Sequence, residues 1–194
     1  MPEAPRLARP APGHTCDLFF AVQPEPKDAE RIGAQADAVR QALGLRGGAV
    51  IGPPRLHVSL RGLGSYDAPP EALLRCALAA AASVRLAPFE VTFDQLMSFG
   101  RANRQVEARP LVWTNTHTAP DWQALHQRLG IALADAGVSI KPAFQPHMSL
   151  SWHKAWVQPQ ACEPLRWTAR RFVLIWSHVK KTRYERAGEW PLTA

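Results

Sequence analysis

Apolar positions along the chain follow two periods, alternation over short stretches and helical spacing over longer ones. The alternating or continuous apolar stretches predict strands over 17–22, 56–63, 89–98, 111–116 and 146–152. Segments of helical composition bounded by Pro or Gly predict helices over 28–43, 69–85 and 120–136. Near the C-terminus, 170–179 and 182–192 predict a pair of strands that completes the sheets.

The order of strand, helix and strand occurs twice along the chain. Leu18 in the first strand precedes His57 by 39 positions, and Leu111 precedes His147 by 36 positions. This near equality predicts an internal duplication, in which two similar lobes each contribute one histidine-bearing strand.

Both histidine-bearing strands carry the same tetrad of residue types. HVSL begins at His57 within PPRLHVSLRGLG, and HMSL begins at His147 within AFQPHMSLSW. Because side chains alternate along a strand, each imidazole projects together with the hydroxyl two residues later, that of Ser59 or Ser149. An imidazole transfers protons near neutral pH, and a hydroxyl can donate to a phosphate oxygen. Two such pairs facing one cleft would provide an acid, a base and two anion donors.

Residues next to the tetrads add candidates for substrate binding. In a regular strand Arg61 would share the face of the first tetrad and could bind phosphate, the alternative being a solvated surface arginine. Ser151 and His153 would likewise share the face of the second tetrad. Of the seven Trp residues, Trp152 is the preferred candidate for stacking on a base.

Length and composition favour a single soluble domain. The 194 residues, 46% of them hydrophobic, suit one domain over 16–194, preceded by a disordered or loosely docked tail over 1–15. No apolar run reaches the roughly 18 residues of a membrane span, and the N-terminus does not resemble a signal peptide, so we expect a cytoplasmic protein. Cys16, Cys76 and Cys162 lack a CxxC spacing and predict reduced thiols.

The charge of the chain favours a polyanionic partner. The formal net charge is +7 and the pI is about 9.9, a balance that suits RNA, although a bias toward arginine in the composition would have the same effect. The sequence contains no G-x-S-x-G, Walker A or Rossmann glycine motif, and no HExxH or close His/Asp cluster. It therefore predicts neither a cofactor nor a metal, and it indicates no obligate protein partner.

The tetrads, their separation and the segments around them resemble the two-histidine (2H) phosphoesterase superfamily, and within it the bacterial RNA 2',3'-cyclic phosphodiesterases, also called LigT-like 2'-5' RNA ligases. LFFAV, FDQLMSFG, LVWTNT and YERAGEWPL are similar to landmarks of that family in the same order, over roughly residues 16–192. The resemblance implies an α+β, bilobal fold with two antiparallel sheets related by an approximate twofold axis. Helices would lie outside, and both His-x-Ser pairs would meet in a central cleft.

The resemblance also implies an activity, the hydrolysis of an RNA 2',3'-cyclic phosphate end to a 2'-phosphomonoester without a metal. Some members also join or cleave 2'-5' linked RNA ends. By analogy with the family, His147 is the general base and His57 the general acid, although the approximate symmetry leaves these roles interchangeable. Ser59 and Ser149 would hold the nonbridging phosphate oxygens.

This chain departs from the family pattern at two places. In RGLG at 61–64 it has Gly62 where the family often has an aromatic residue two positions before the last glycine, and it has Trp152 where an arginine is frequent. Trp152 or Lys154 would then substitute in part as a substrate contact. Two alternatives stay open: a phosphodiesterase of a small cyclic nucleotide or of ADP-ribose cyclic phosphate, and a non-catalytic module that binds RNA or nucleotides.

Overall fold

The computed structural model describes residues 15–68, 70–100, 107–117, 119–139, 143–178 and 181–194. The tail predicted over 1–15 lies outside the described residues except for its last position. Within them the strands are Cys16–Val22 (β1), Ala49–Val50 (β2), Val58–Tyr66 (β3), Phe89–Ser98 (β4), Arg109–Thr114 (β5), His147–His153 (β6), Gln160–Ala169 (β7), Arg171–His178 (β8) and Arg183–Pro191 (β9). The helices are Pro26–Ala42 (α1), Glu71–Ala82 (α2) and Pro120–Asp135 (α3), and a 3-10 turn spans Pro53–Arg55.

Local sequence explains where α1 and α3 begin and end. Each begins at a proline, Pro26 or Pro120, which has no N–H to leave unpaired in the first turn. Each is followed closely by a glycine with positive φ, Gly44 at 64° and Gly137 at 77°. Glycine adopts this left-handed conformation without a steric penalty, so it terminates both helices.

The described strands form one antiparallel sheet in the order β7-β4-β5-β6-β3-β1-β8-β9, and β2 pairs with β6. The expected α+β fold is confirmed, and the two expected sheets are the two halves of this larger sheet. The halves meet where β3 pairs with β6 through Val58 and Met148. In one half β1 pairs with β3 and β8, and in the other β5 pairs with β6 and β4, so the connectivity of the repeated unit is the same twice.

The two faces of the sheet differ in what covers them. One face packs against the helices in the main hydrophobic core, which takes in Phe20, Val58, Met148 and Leu129. On the opposite face a small cluster forms around Ala21, Val173 and Ile175. None of the helices within the described residues has both the length and the apolar character needed to cross a bilayer.

Two of the described strands, the two-residue β2 and the longer β7, were not predicted from the sequence pattern. β7 lies at the edge of the sheet, contains Pro164, and shifts register against β4 between Phe93 and Gln95. Proline is tolerated on an edge strand or at a bulge because its missing N–H need not pair there. The register shift also breaks the alternation that would have indicated a strand.

Candidate active site

The single pair that joins β3 to β6 also aligns the two tetrads. Val58 lies opposite Met148 in antiparallel register, which sets His57 opposite Ser149 and Ser59 opposite His147. Val58 and Met148 are fully buried against the helices. Because side chains alternate, the two imidazoles and two hydroxyls project together from the other face. The result is a square of four functional groups with each histidine facing a serine.

Backbone carbonyls orient both imidazoles in the same way. Nδ1 of His57 lies 2.8 Å from the carbonyl oxygen of Arg55, and Nδ1 of His147 lies 2.8 Å from that of Gln145. A carbonyl oxygen only accepts, so Nδ1 is the donor in both contacts. In the neutral rings the lone pair is therefore on Nε2, which is the atom left to exchange a proton with a substrate.

Burial lowers the pKa of both histidines. For His57 the pKa falls to about 4, mainly through desolvation, while the bond to the Arg55 carbonyl opposes this and the charges of His147 and Arg55 lower it further. The pKa of His147 is also lowered by burial, against the effect of the Gln145 carbonyl. The electrostatic effect of His147 on His57 means that protonation of one ring disfavours protonation of the other.

Aromatic rings surround the two histidines unequally. The His57 ring lies 5.2 Å from Phe19 and 5.6 Å from Tyr184, and the guanidinium of Arg55 lies 5.7 Å from the Tyr184 ring. His147 lies 4.7 Å from Phe99. None of these neighbours was a candidate site residue from the sequence. The alternation of β1 could have predicted that Phe19 lies on the sheet face opposite the buried Phe20. Tyr184, in contrast, comes close to His57 only through the pairing of β8 with β9.

A model of the family described as the 2'-5' RNA ligase superfamily matches residues 24–181 of this sequence. The chain belongs to the 2'-5' RNA ligase superfamily. A search of curated proteins by sequence gave no match.

Solved structures similar to this member of the superfamily have the same fold. Apo E. coli LigT aligns with a TM-score of 0.70 and 21% identity over 94% of this chain and 100% of that one. E. coli LigT complexed with 3'-AMP aligns with a TM-score of 0.67 and 20% identity, again over 94% of this chain and 100% of that one. TT0787 of Thermus thermophilus aligns with a TM-score of 0.69 and 24% identity over 91% of this chain and 97% of that one. Membership of the 2'-5' RNA ligase superfamily supports a phosphoesterase or ligase role for the site.

The prediction that Arg61 shares the face of His57 is wrong. β3 shifts register against β1 after Ser59, so that Ala21 pairs with Ser59 but Phe20 pairs with Arg61. This bulge turns Arg61 toward the helices, where its guanidinium is buried and donates to the carbonyl oxygen of His126 on α3 at 2.9 Å. Arg61 thus ties β3 to α3 and lies away from the histidine face.

The second histidine strand has a matching bulge. Val112 pairs with Ser149 and Leu111 pairs with Ser151, so β6 also has an extra residue, Leu150, at the last position of its tetrad. Ser151 is therefore buried, at 1% exposure, and His153 is buried too. Neither joins the face of His147 as the regular alternation predicted. The bulges occupy equivalent places in the repeated unit, which further supports the duplication.

Trp152 and Lys154 lie at the far end of β6 from His147. Trp152 is 43% exposed and Lys154 is exposed. Trp152 lies five positions after His147, and the bulge at Leu150 lies between them, so the substrate contact expected of Trp152 or Lys154 stays a prediction. Among the described residues no group of three or more His, Cys, Asp or Glu side chains could hold a metal ion.

Proposed function

We propose that this protein hydrolyses the 2',3'-cyclic phosphate end of an RNA to a 2'-phosphomonoester. The observation that carries this proposal is the square of His57, Ser59, His147 and Ser149 on one sheet face, with both Nδ1 atoms engaged by carbonyls. Two imidazoles with oriented Nε2 atoms suit in-line displacement at phosphorus, which needs a base on one side and an acid on the other.

In the proposed step, Nε2 of His147 accepts a proton from a water as its oxygen attacks phosphorus. A new P–O bond forms, the bond from phosphorus to O3' breaks, and Nε2–H of His57 donates its proton to the departing O3'. The product carries a 2'-phosphate and a free 3'-hydroxyl. The hydroxyls of Ser59 and Ser149 donate to the nonbridging oxygens, where negative charge develops.

The low pKa of His57 is compatible with its role as the acid. In the free protein its pKa is about 4. A phosphodiester anion between the two rings stabilises an imidazolium, so the substrate raises the pKa of the ring that it contacts. Binding of the anion therefore favours the uptake from solvent of the one proton that the mechanism requires.

The test of the reaction uses an RNA oligonucleotide with a 2',3'-cyclic end and protein treated with a chelator. We expect only the 2'-phosphate product, and each of His57→Ala and His147→Ala lowers kcat by about 10²- to 10⁴-fold. His117→Ala serves as the control, because His117 is an exposed histidine outside the square. A 3'-phosphate product would contradict the assigned roles, and full activity in both variants would contradict the proposal.

A substrate with sulfur in place of O3' separates the acid from the base. The sulfur can leave as a thiolate, without accepting a proton, because a thiol is a much stronger acid than an alcohol. On this substrate His57→Ala should regain most of the wild-type rate, whereas His147→Ala should remain impaired. The opposite pattern would make His147 the acid and His57 the base, and the proposed reaction would still stand.

The same site supports ligation in principle, because an RNA 5'-hydroxyl can replace water as the nucleophile. Phosphorus would stay on O2', giving a 2'-5' linkage, and the superfamily name reflects such a reaction.

A small cyclic phosphate is the competing substrate class, and E. coli LigT has been crystallised with 3'-AMP, with ATP and with NADP+. The salt dependence of kcat/KM separates RNA from a small nucleotide, since only a polyanion gives a steep slope.

A further inference from the structure

A polar side chain in each half of the sheet lies directly across from a tetrad histidine. Thr114, the last residue of β5, pairs with His147. Gln23 follows the residue of β1 that pairs with Val58, so the antiparallel register sets it opposite His57. The two side chains therefore take equivalent places in the repeated unit. Both are buried, Thr114 at 0% and Gln23 at 6% exposure, which favours a role inside the protein over contact with a substrate.

The hydroxyl of Thr114 holds the segment that precedes β6. Its Oγ1 donates to the carbonyl oxygen of Pro146 at 2.8 Å, and the carbonyl of the residue before it, Gln145, accepts from Nδ1 of His147. Both carbonyls come before the first residue of β6, so the strand pairing of the sheet does not fix them. Thr114 therefore anchors the carbonyl next to the one that orients the ring.

The amide of Gln23 has the same place in the first half. Its Nε2 donates to the carbonyl oxygen of Pro54 at 3.3 Å, and the next residue, Arg55, supplies the carbonyl that accepts from Nδ1 of His57. The 3-10 turn adds a second restraint here, because the N–H of Arg55 donates to the carbonyl of Gly52 at 2.9 Å. Loss of Gln23 should therefore matter less than loss of its counterpart in the second half.

These anchored carbonyls control which ring nitrogen faces the substrate. A neutral imidazole carries one N–H, and the hydrogen bond that it makes determines which nitrogen holds that proton. The bond at Nδ1 keeps Nε2 free on both rings. A misplacement of a reacting group by about 1 Å can cost about 10²-fold in rate. A side chain that fixes the orienting carbonyl can therefore affect the reaction without touching the substrate.

We infer that Thr114 and Gln23 are positioning residues, each anchoring the short segment whose carbonyl holds the histidine of its own half in the reactive tautomer and orientation. Thr114 acts through His147, and Gln23 acts through His57. The inference rests on the proposed function for the reaction, but the tautomers of the imidazoles can be measured without turnover.

Thr114→Val removes the hydroxyl and nearly keeps the shape of the side chain. We expect kcat for a nucleoside 2',3'-cyclic phosphate to fall by about 10- to 100-fold and KM to stay within about twofold of wild type, because the ring loses its alignment while the binding groups remain. Thr114→Ser keeps a hydroxyl and should retain most of kcat. Thr92→Val is the matched control, since it removes a hydroxyl of β4 that donates to Glu90.

Gln23→Met tests the first half in the same way. It should lower kcat by about 3- to 30-fold, less than Thr114→Val because the 3-10 turn remains. The matched control is Gln35→Met on the exposed side of α1. If urea unfolding shows that Thr114→Val does not fold, Gln23→Met carries the test, because the carbonyl that it leaves unpaired belongs to the exposed Pro54 and can bond to water.

The substrate with sulfur in place of O3' links each variant to its histidine. On this substrate Gln23→Met should recover together with His57→Ala, and Thr114→Val should stay impaired together with His147→Ala. If the acid and base roles are exchanged, the recovery is exchanged with them, so the comparison does not depend on the assignment of roles. A purely structural loss would lower the rate on both substrates alike. A variant that does not follow the histidine of its own half would overturn its assignment.

The second readout is 15N NMR of the imidazoles, which distinguishes a proton on Nδ1 from one on Nε2. In the wild-type protein at about pH 8 both rings should be neutral and carry the proton on Nδ1. Thr114→Val should move part of the His147 population to the Nε2–H tautomer and leave His57 unchanged. Gln23→Met should have the converse effect.

An unchanged kcat or unchanged tautomers in both folded variants would overturn the inference, and so would an equal loss of kcat in Thr92→Val. If the wild-type protein hydrolyses no cyclic phosphate, the proposed function fails, and the NMR result then decides on the positioning residues alone. Rings that stay in the Nδ1–H form in both variants would overturn the inference in that case, and the expected shifts would sustain it.

Discussion

His57 and His147 have the same motif and the same backbone contact, yet their surroundings differ. His57 lies against both Phe19 and Tyr184, and the positive charge of Arg55 acts on it. His147 has a close ring contact with Phe99. Removing water from an imidazole disfavours its charged form, so the pKa of each is depressed. The depression sets the pH range in which the pair holds a single proton.

We expect the kcat/KM for a nucleoside cyclic phosphate to be highest below pH 6.5. The active free protein has one neutral and one protonated imidazole, and both pKa values lie below 6.5. As the pH rises above about 6.5 the remaining proton is lost, and kcat/KM should fall about tenfold per pH unit. Rates measured between about pH 4 and pH 9 would test this, and a value that is constant or rising up to about pH 8 would refute it.

Replacing Arg55 with Gln should move the acid limb of that profile to higher pH. The guanidinium lowers the pKa of His57, whereas the carbonyl that accepts from its Nδ1 belongs to the backbone and is retained. The pKa of His57 should therefore rise in Arg55→Gln. The matched control is Arg75→Gln, which removes an exposed guanidinium of α2. An acid limb that stays in place in Arg55→Gln would show that this charge does not act on the ring.

Each histidine strand has a β-bulge at the last residue of its tetrad, Leu60 in β3 and Leu150 in β6. After the bulge in β3 the next long side chain, Arg61, turns into the helix layer and reaches the His126 carbonyl. Gly130 on α3 makes room for it, since an added Cβ there would lie 2.9 Å from the guanidinium carbon. A glycine inside a helix is otherwise unfavourable, and this contact explains it.

Arg61→Met should lower the free energy of unfolding by about 2 kcal/mol, the typical loss when hydrogen bonds from a charged group are removed. The kcat/KM for a nucleoside cyclic phosphate should stay close to that of wild type, because Arg61 lies away from the histidine face. Urea unfolding measures the first quantity. Arg75→Met on the exposed side of α2 should change stability by less than about 0.5 kcal/mol. A large loss of activity with unchanged stability would indicate a phosphate contact instead.

At the scale of the whole molecule, the described strands form one sheet whose halves join at Val58 and Met148, and the helices pack on the face away from the two tetrad histidines. This arrangement buries the titratable side chain of His126, on α3, in the helix layer. The His126 ring stacks on Phe144 at 4.3 Å and its Nδ1 lies 3.2 Å from the Arg61 guanidinium. Burial and the charge of Arg61 lower the pKa of His126 to about 4.

The free energy of unfolding should decrease as the pH falls from about 6.5 to about 4. In the unfolded chain His126 has its ordinary pKa of 6.5 and is protonated in this pH window, whereas in the folded protein it stays neutral down to about pH 4. One such group contributes at most about 1.4 kcal/mol per pH unit. Urea unfolding at several pH values should show a shallower dependence in His126→Gln than in wild type. Equal slopes in the two proteins would contradict the role of His126.

Most of the fold could be predicted from local patterns. Alternation and helical composition located every described helix and all the described strands except β2 and β7, and the tetrads indicated the chemistry that we propose for His57 and His147. These features depend on neighbours in the sequence, because a strand's face and a helix's ends are set by adjacent residues. The spacing of the repeated unit similarly suggested that two equivalent strands would meet.

The position of Arg61, the closeness of Tyr184 to His57 and the depressed pKa values depended on residues far apart in the chain. A bulge reverses the face of every later side chain in a strand, and nothing in the alternation of LHVSLRGL marks where it falls. Desolvation likewise depends on which remote rings exclude water from an imidazole. Short motifs in the sequence therefore determined which residues carry the proposed chemistry, whereas the pKa values of the two histidines and the position of Arg61 depend on contacts that only the folded chain creates.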